Sequence, residues 1–125
     1  MNSNKSTEEI PREQWSSFLD AFSRQHEGWL ATLEVFDKTI GAQAEAEELP
    51  FEGISFGNGK SGSIIIMLGD LRDHITHTIE QPRHLWLQLT PQGADAALEI
   101  QAADESNTLL RFRSPMLPEL VDGIV

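Results

Sequence analysis

Cysteine is absent from the 125 residues. That removes disulfides, thiol nucleophiles and thiolate metal sites together, and a reducing cytoplasm is the natural expectation. Long apolar runs are missing too. The longest is Ile64-Ile65-Ile66-Met67-Leu68, a strand's worth and far short of the roughly 20 residues that span a bilayer. The opening MNSNKSTEEIPREQW has no apolar h-region, so no signal peptide is expected. Basic charge is scarce: nine Lys and Arg face twenty Asp and Glu, for a formal charge of −11. DNA and anionic membranes are bound by neutralising phosphate with Lys and Arg, so neither is an expected partner. An unknown protein, a small molecule or a second copy of the chain remains.

Apolar residues make up 39% of the chain, enough for one core in one domain. Residues 1–9 are polar and aperiodic, and a disordered tail is expected there. Ile10-Pro11 then opens a helix, with Trp15, Phe18, Leu19 and Phe22 at the i, i+3, i+4, i+7 spacing of one face. Gly28 suits the left-handed residue that closes it. From there the period drops to two. Strands are expected over 29–36, 51–56, 63–68, 74–79, 84–90, 96–102 and 108–113. Residues 40–49 are ambiguous; their alternation, with Ala42, Ala44 and Ala46 sharing a face, favours strand over their Ala/Glu helix composition.

One-sided alternation marks an antiparallel sheet with one wet face. The fold class is α+β: an N-terminal helix, then a mainly antiparallel, strongly curved sheet or partly open barrel of roughly six to eight strands. The domain spans 10–113. Residues 114–125 carry Met116, Leu117, Leu120, Val121, Ile124 and Val125, and this apolar tail is expected to dock. In the last hairpin, inward residues must oppose inward ones. That sets Leu98 against Phe112, Ile100 against Leu110 and Glu99 against Arg111, around a loop of Asp104-Glu105-Ser106 or one residue longer at each end.

Familiar catalytic strings occur out of context. Gly57 to Gly62 spells G-x-G-x-x-G, but a β-branched strand follows where a dinucleotide site needs a helix. Gly53 to Gly57 spells G-x-S-x-G around Ser55, yet runs into a glycine-rich loop and another strand rather than a helix. Of the four histidines, His74 and His77 are three apart, on opposite faces of a strand. No metal site and no cofactor are expected, and the chain leans away from being an enzyme.

The candidate contact surface is the outer sheet face carrying His74, Thr76, His84, Trp86 and Gln88. Trp86 anchors it, because Leu85 and Leu87 claim the inner face and leave a large aromatic outside. A rival reading places a small ligand between helix and sheet, with the inward His77 as its titrating group. A third is a structural homo-oligomer, formed by edge-strand pairing or by exchange of the C-terminal tail.

The segments EIPREQWSSFLDAFSRQHEGWLATLEVFD, GAQAEAEELPFEGISF, HITHTIEQPRHLWLQ and ALEIQAADESNTLLRFRSP, in that order, resemble a family of short bacterial proteins known only as a domain of unknown function. The resemblance implies a bacterial, single-domain protein. It carries no activity, ligand or site residue.

Overall fold

A computed structural model describes residues 6–57, 62–91 and 95–113 of the chain. The helix starts later than the sequence suggests. Pro11 is extended (φ −61°, ψ 144°) and precedes a 3-10 turn over Arg12–Gln14; the α-helix α1 is Trp15–His26. Its buried face is Trp15, Leu19, Phe22 and His26, while Phe18 sits on the flank, packed against the core but only partly covered. The indole N–H of Trp15 donates to the Ile10 carbonyl at 2.8 Å, which ties the entry strand to the helix. Gly28, at φ +90°, ends the helix as expected and donates its N–H to the Phe51 carbonyl at 2.8 Å. A side chain at that φ would be strained.

Eight strands follow or flank the helix: β1 Ser6–Glu9, β2 Leu30–Asp37, β3 Gly41–Gly57, β4 Ser63–Gly69, β5 His74–Glu80, β6 Pro82–Leu89, β7 Asp95–Ala102 and β8 Asn107–Phe112. They form one sheet in the order β1-β6-β7-β8-β2-β3-β4-β5, with every pairing antiparallel. The expected α+β class, with a curved, unclosed sheet, is what the chain adopts. The ambiguous 40–49 stretch is strand, the first half of β3.

β3 shapes the sheet. Its first half pairs with β2 and its second half with β4. Between Ala31↔Leu49 and Leu33↔Ala46, between Leu33↔Ala46 and Glu34↔Ala44, and between Phe51↔Leu68 and Gly53↔Met67, the extra residue is always on β3. A strand with more residues than its neighbours must bow, and each bulge swaps its inner and outer faces. So Ala46, Phe51 and Ile54 are all buried although their spacing is odd. The same phase change corrects the expected Ala42/Ala44/Ala46 face: Ala46 is buried, whereas Ala42 and Ala44 are exposed. Glu48 takes φ +50° inside this bend, a left-handed value that costs a non-glycine residue energy.

The helix docks where β3 bows. The Ser23 hydroxyl donates to the Ile54 carbonyl (2.8 Å) and accepts the Ile54 N–H (2.9 Å), satisfying both backbone groups. Phe22 meets Phe51 edge-on at 6.1 Å and Phe112 at 5.6 Å. Leu33, Ile64, Ile66, Leu68, Leu85, Leu98, Ile100 and Leu110 complete the dry interior.

Two further expectations need correction. The disorder expected over residues 1–9 does not hold for Ser6–Glu9, which pairs with β6 and forms an edge, and residues 1–5 lie outside the described residues. The β7–β8 register is two residues from the one expected: Leu98 opposes Leu110, Ile100 opposes Thr108 and Ala97 opposes Arg111. Face matching is preserved, since Thr108 is buried and a two-residue slip keeps every side chain on its side. The turn decides between registers. Glu105 N–H donates to the Ala102 carbonyl (2.9 Å), Ala102 N–H to the Ser106 carbonyl (3.0 Å), and Glu105 takes φ +72°. That is a three-residue loop, Ala103-Asp104-Glu105, with its last residue left-handed. Asp104 supports it by accepting the Ser106 N–H and hydroxyl. The expected docking of 114–125 and the loop residues 58–61 lie outside the described residues.

Phe22→Ala should cost about 3–5 kcal/mol of unfolding free energy, and Phe18→Ala distinctly less. Urea unfolding of both variants checks this; equal losses would mean the buried helix face is misassigned.

Candidate functional site

The five outward candidates divide between two strands that are not neighbours. His74 and Thr76 lie on β5, at one edge of the sheet; His84, Trp86 and Gln88 lie on β6, beside the other edge. Gln81, at φ +51°, turns the chain between them, so β5 and β6 form no hairpin and His74 does not meet His84. His74 pairs instead with Glu52 of β3 at 2.6 Å. Strand neighbours depend on where the chain goes after each turn, which alternation alone does not encode.

Around β6 the outer face has a definite pattern. Directly opposed residues share a face, so the ladder Glu9↔Trp86↔Glu99↔Leu109↔Glu34 crosses β1, β6, β7, β8 and β2 as one outward row. Carboxylates and apolar side chains alternate along it. Trp86 stacks on His84 at 5.2 Å with 15° between the rings, and His84 Nδ1 lies 2.8 Å from Glu9. Gln88 donates to Glu99 at 3.3 Å, and Arg111 reaches Glu34 at 3.2 Å. Arg111 was expected to partner Glu99; the register difference gives it Glu34 instead. Next to this row is a cleft of about 360 Å³ bounded by Phe36, Gln88, Glu99, Asn107 and Leu109. Phe36, 39% exposed, is a large apolar side chain left at its rim. Strand alternation put Trp86 and Gln88 outside; Leu109, Glu34 and Phe36 join them only once strand order is known.

The space between helix and sheet has a different character. A cleft of about 340 Å³ there brings together Glu13, Asp20 and Ser55, without a histidine among its lining residues. Ser55 sits within β3, on a regular stretch of its ladder with β4, not at a strand-to-helix elbow. His77 points to the inner side of β5, half-buried and opposite Ile66. Among the described residues no group of three or more His, Asp or Glu is placed to hold a metal ion. His26, passed over in the sequence, is the buried histidine: its ring stacks on Phe22 (4.2 Å) and Phe112 (4.9 Å), with Nδ1 2.9 Å from the Phe22 carbonyl. A carbonyl only accepts, so that nitrogen carries the proton. Its packing is that of a core aromatic. Among the described residues no helix is long and apolar enough to cross a membrane.

Comparison with known proteins adds kinship without chemistry. The model of a family described as "Family of unknown function (DUF5335)" matches residues 6–120. A protein of Aquifex aeolicus (strain VF5), described as "Uncharacterized protein", is 30% identical over 112 residues, covering 90% of this chain and 96% of its own. No solved structure matches the chain.

Burial holds the His77 imidazole below its ordinary value of 6.5, with Glu45 pulling weakly the other way. Above 6.5 the ring is neutral in folded and unfolded chains alike. As pH falls through 6.5 the unfolded chain takes the proton first, so His77 costs stability progressively until the folded ring also titrates. His77→Gln should therefore lose less melting temperature than wild type between about pH 7.5 and pH 5.5. Parallel thermal melts at both pH values check it, and identical losses would contradict it.

Proposed function

The chain belongs to the family of unknown function matched over residues 6–120, and for it we propose a non-catalytic role as a small cytoplasmic binding module. The contact surface is the outer face around Trp86, and the partner is cationic and partly apolar. One observation carries this reading: the half-covered Trp86–His84 stack stands in a row with Glu9, Glu99, Leu109 and Glu34, beside the cleft that ends at Phe36. The part of an aromatic face left open attracts a cation through its quadrupole, and three carboxylates against one guanidinium add to that attraction. Leu109 and Phe36 supply apolar area for the partner's side chains. The overall charge of −11 favours the approach of a basic partner by the same sign.

Selection of a random-peptide library on the immobilised protein tests the reading. Enriched peptides should be rich in Lys or Arg with an interspersed apolar residue, and should bind Trp86→Ala at least about tenfold more weakly, the loss of one interface anchor. Peptides without basic bias, or binding both proteins alike, would contradict it.

A further inference from the structure

Among the described residues the sheet has two open edges, β1 and β5, and they are built differently. β1 is four residues long, holds Glu8 and Glu9, and is closed off by Pro11 two residues beyond. Short length, charge and a nearby proline are the usual ways of blunting an edge. β5 has none of these protections through its length. Its seven residues follow β4 without a bulge, from Gly69↔His74 to Ser63↔Glu80, and contain neither lysine nor proline. Its only acid is the terminal Glu80.

The sequence of β5 is also nearly a palindrome: His74-Ile75-Thr76-His77-Thr78-Ile79-Glu80. Laid antiparallel against itself about His77, it sets Ile75 opposite Ile79, Thr76 opposite Thr78, and His77 opposite His77. At the ends, where the palindrome breaks, it sets His74 opposite Glu80, a complementary pair. All four kinds of pair match faces. Ile75, His77 and Ile79 lie on the inner side, while His74, Thr76, Thr78 and Glu80 are exposed on the outer one. Isoleucine and threonine pairs are favourable cross-strand contacts. A slip of one residue would oppose inner with outer side chains; a slip of two would put isoleucine against His77 and lose an end pair.

We propose that two copies of the chain pair edge to edge through β5, antiparallel and centred on His77, so that one sheet runs through both. The association is isologous: each copy offers the same strand, and the contact closes at two. It leaves the outer face around Trp86 free, on the far side of each copy's strand order. It also gives His74 and Thr76, which the fold separates from Trp86, a surface of their own. A seven-residue edge covers little area, so the dimer is a concentration-dependent one.

Sedimentation equilibrium of the full chain over a concentration series up to about 1 mM decides the matter. Wild type should move from 14.0 kDa to twice that mass. Thr76→Lys/Thr78→Lys, which sets lysine against lysine at two exposed outer positions, should stay monomeric with an unchanged circular dichroism spectrum. The register has its own test, because the chain holds no cysteine. Thr76→Cys mixed with Thr78→Cys should form an oxidised dimer well in excess of either variant alone. A wild type monomeric throughout, a dimer indifferent to the lysines, or equal cross-linking in all three cysteine samples would each overturn the proposal.

Discussion

The seventeen residues of β3 are shared by both halves of the sheet, and they cannot lie straight because β2 and β4 each oppose them with fewer. That excess length makes the bow into which α1 fits. Ser23 closes both backbone groups of Ile54 at the bend, and Gly28 and Trp29 exchange backbone hydrogen bonds with Phe51 on the other side of it. Helix, bulge and aromatic cluster are one device. Removing the bow would leave the helix no concave surface to cover and would turn Phe51 or Ile54 out to solvent.

The local pattern in the sequence was legible because burial on one face imposes a period. Trp15, Leu19 and Phe22 announced the helix, and the alternation of Leu85, Leu87, Leu98, Ile100, Leu110 and Phe112 announced the strands with the correct faces. What failed was whatever depends on counting across a bulge or a turn. The Ala42-Ala44-Ala46 face broke at an extra residue on β3 that no local pattern marks. The β7–β8 register followed from matched faces, which tolerate a shift of two, while the left-handed Glu105 selected the actual one. The patch joining His74 to His84 assumed that consecutive strands pair; the turn at Gln81 sends β6 to the opposite side of the sheet. Trp86 survived as a surface residue because its exposure rests on alternation alone.

The strand order gives the molecule two separate surfaces. One is a face, where β1, β6, β7, β8 and β2 line up Trp86 and Leu109 between carboxylates. The other is an edge, where β5 has a neighbour on one side only among the described residues and carries a self-complementary sequence. A face selects partners by side-chain chemistry, an edge by backbone hydrogen bonding and register. Occupying one leaves the other open, so a dimer through β5 would present the outer face twice.

The central claim is that β3 binds the two halves of the sheet into one cooperative unit. Native-state amide exchange tests it most directly, through buried strand residues on either side of β3: Ile66 of β4 and Leu98 of β7. If β3 couples the halves, both amides exchange with the same free energy and the same denaturant dependence, that of global unfolding. If β4 and β5 instead open at clearly lower free energy while β6, β7 and β8 stay protected, the sheet is two units and β3 is only the hinge between them.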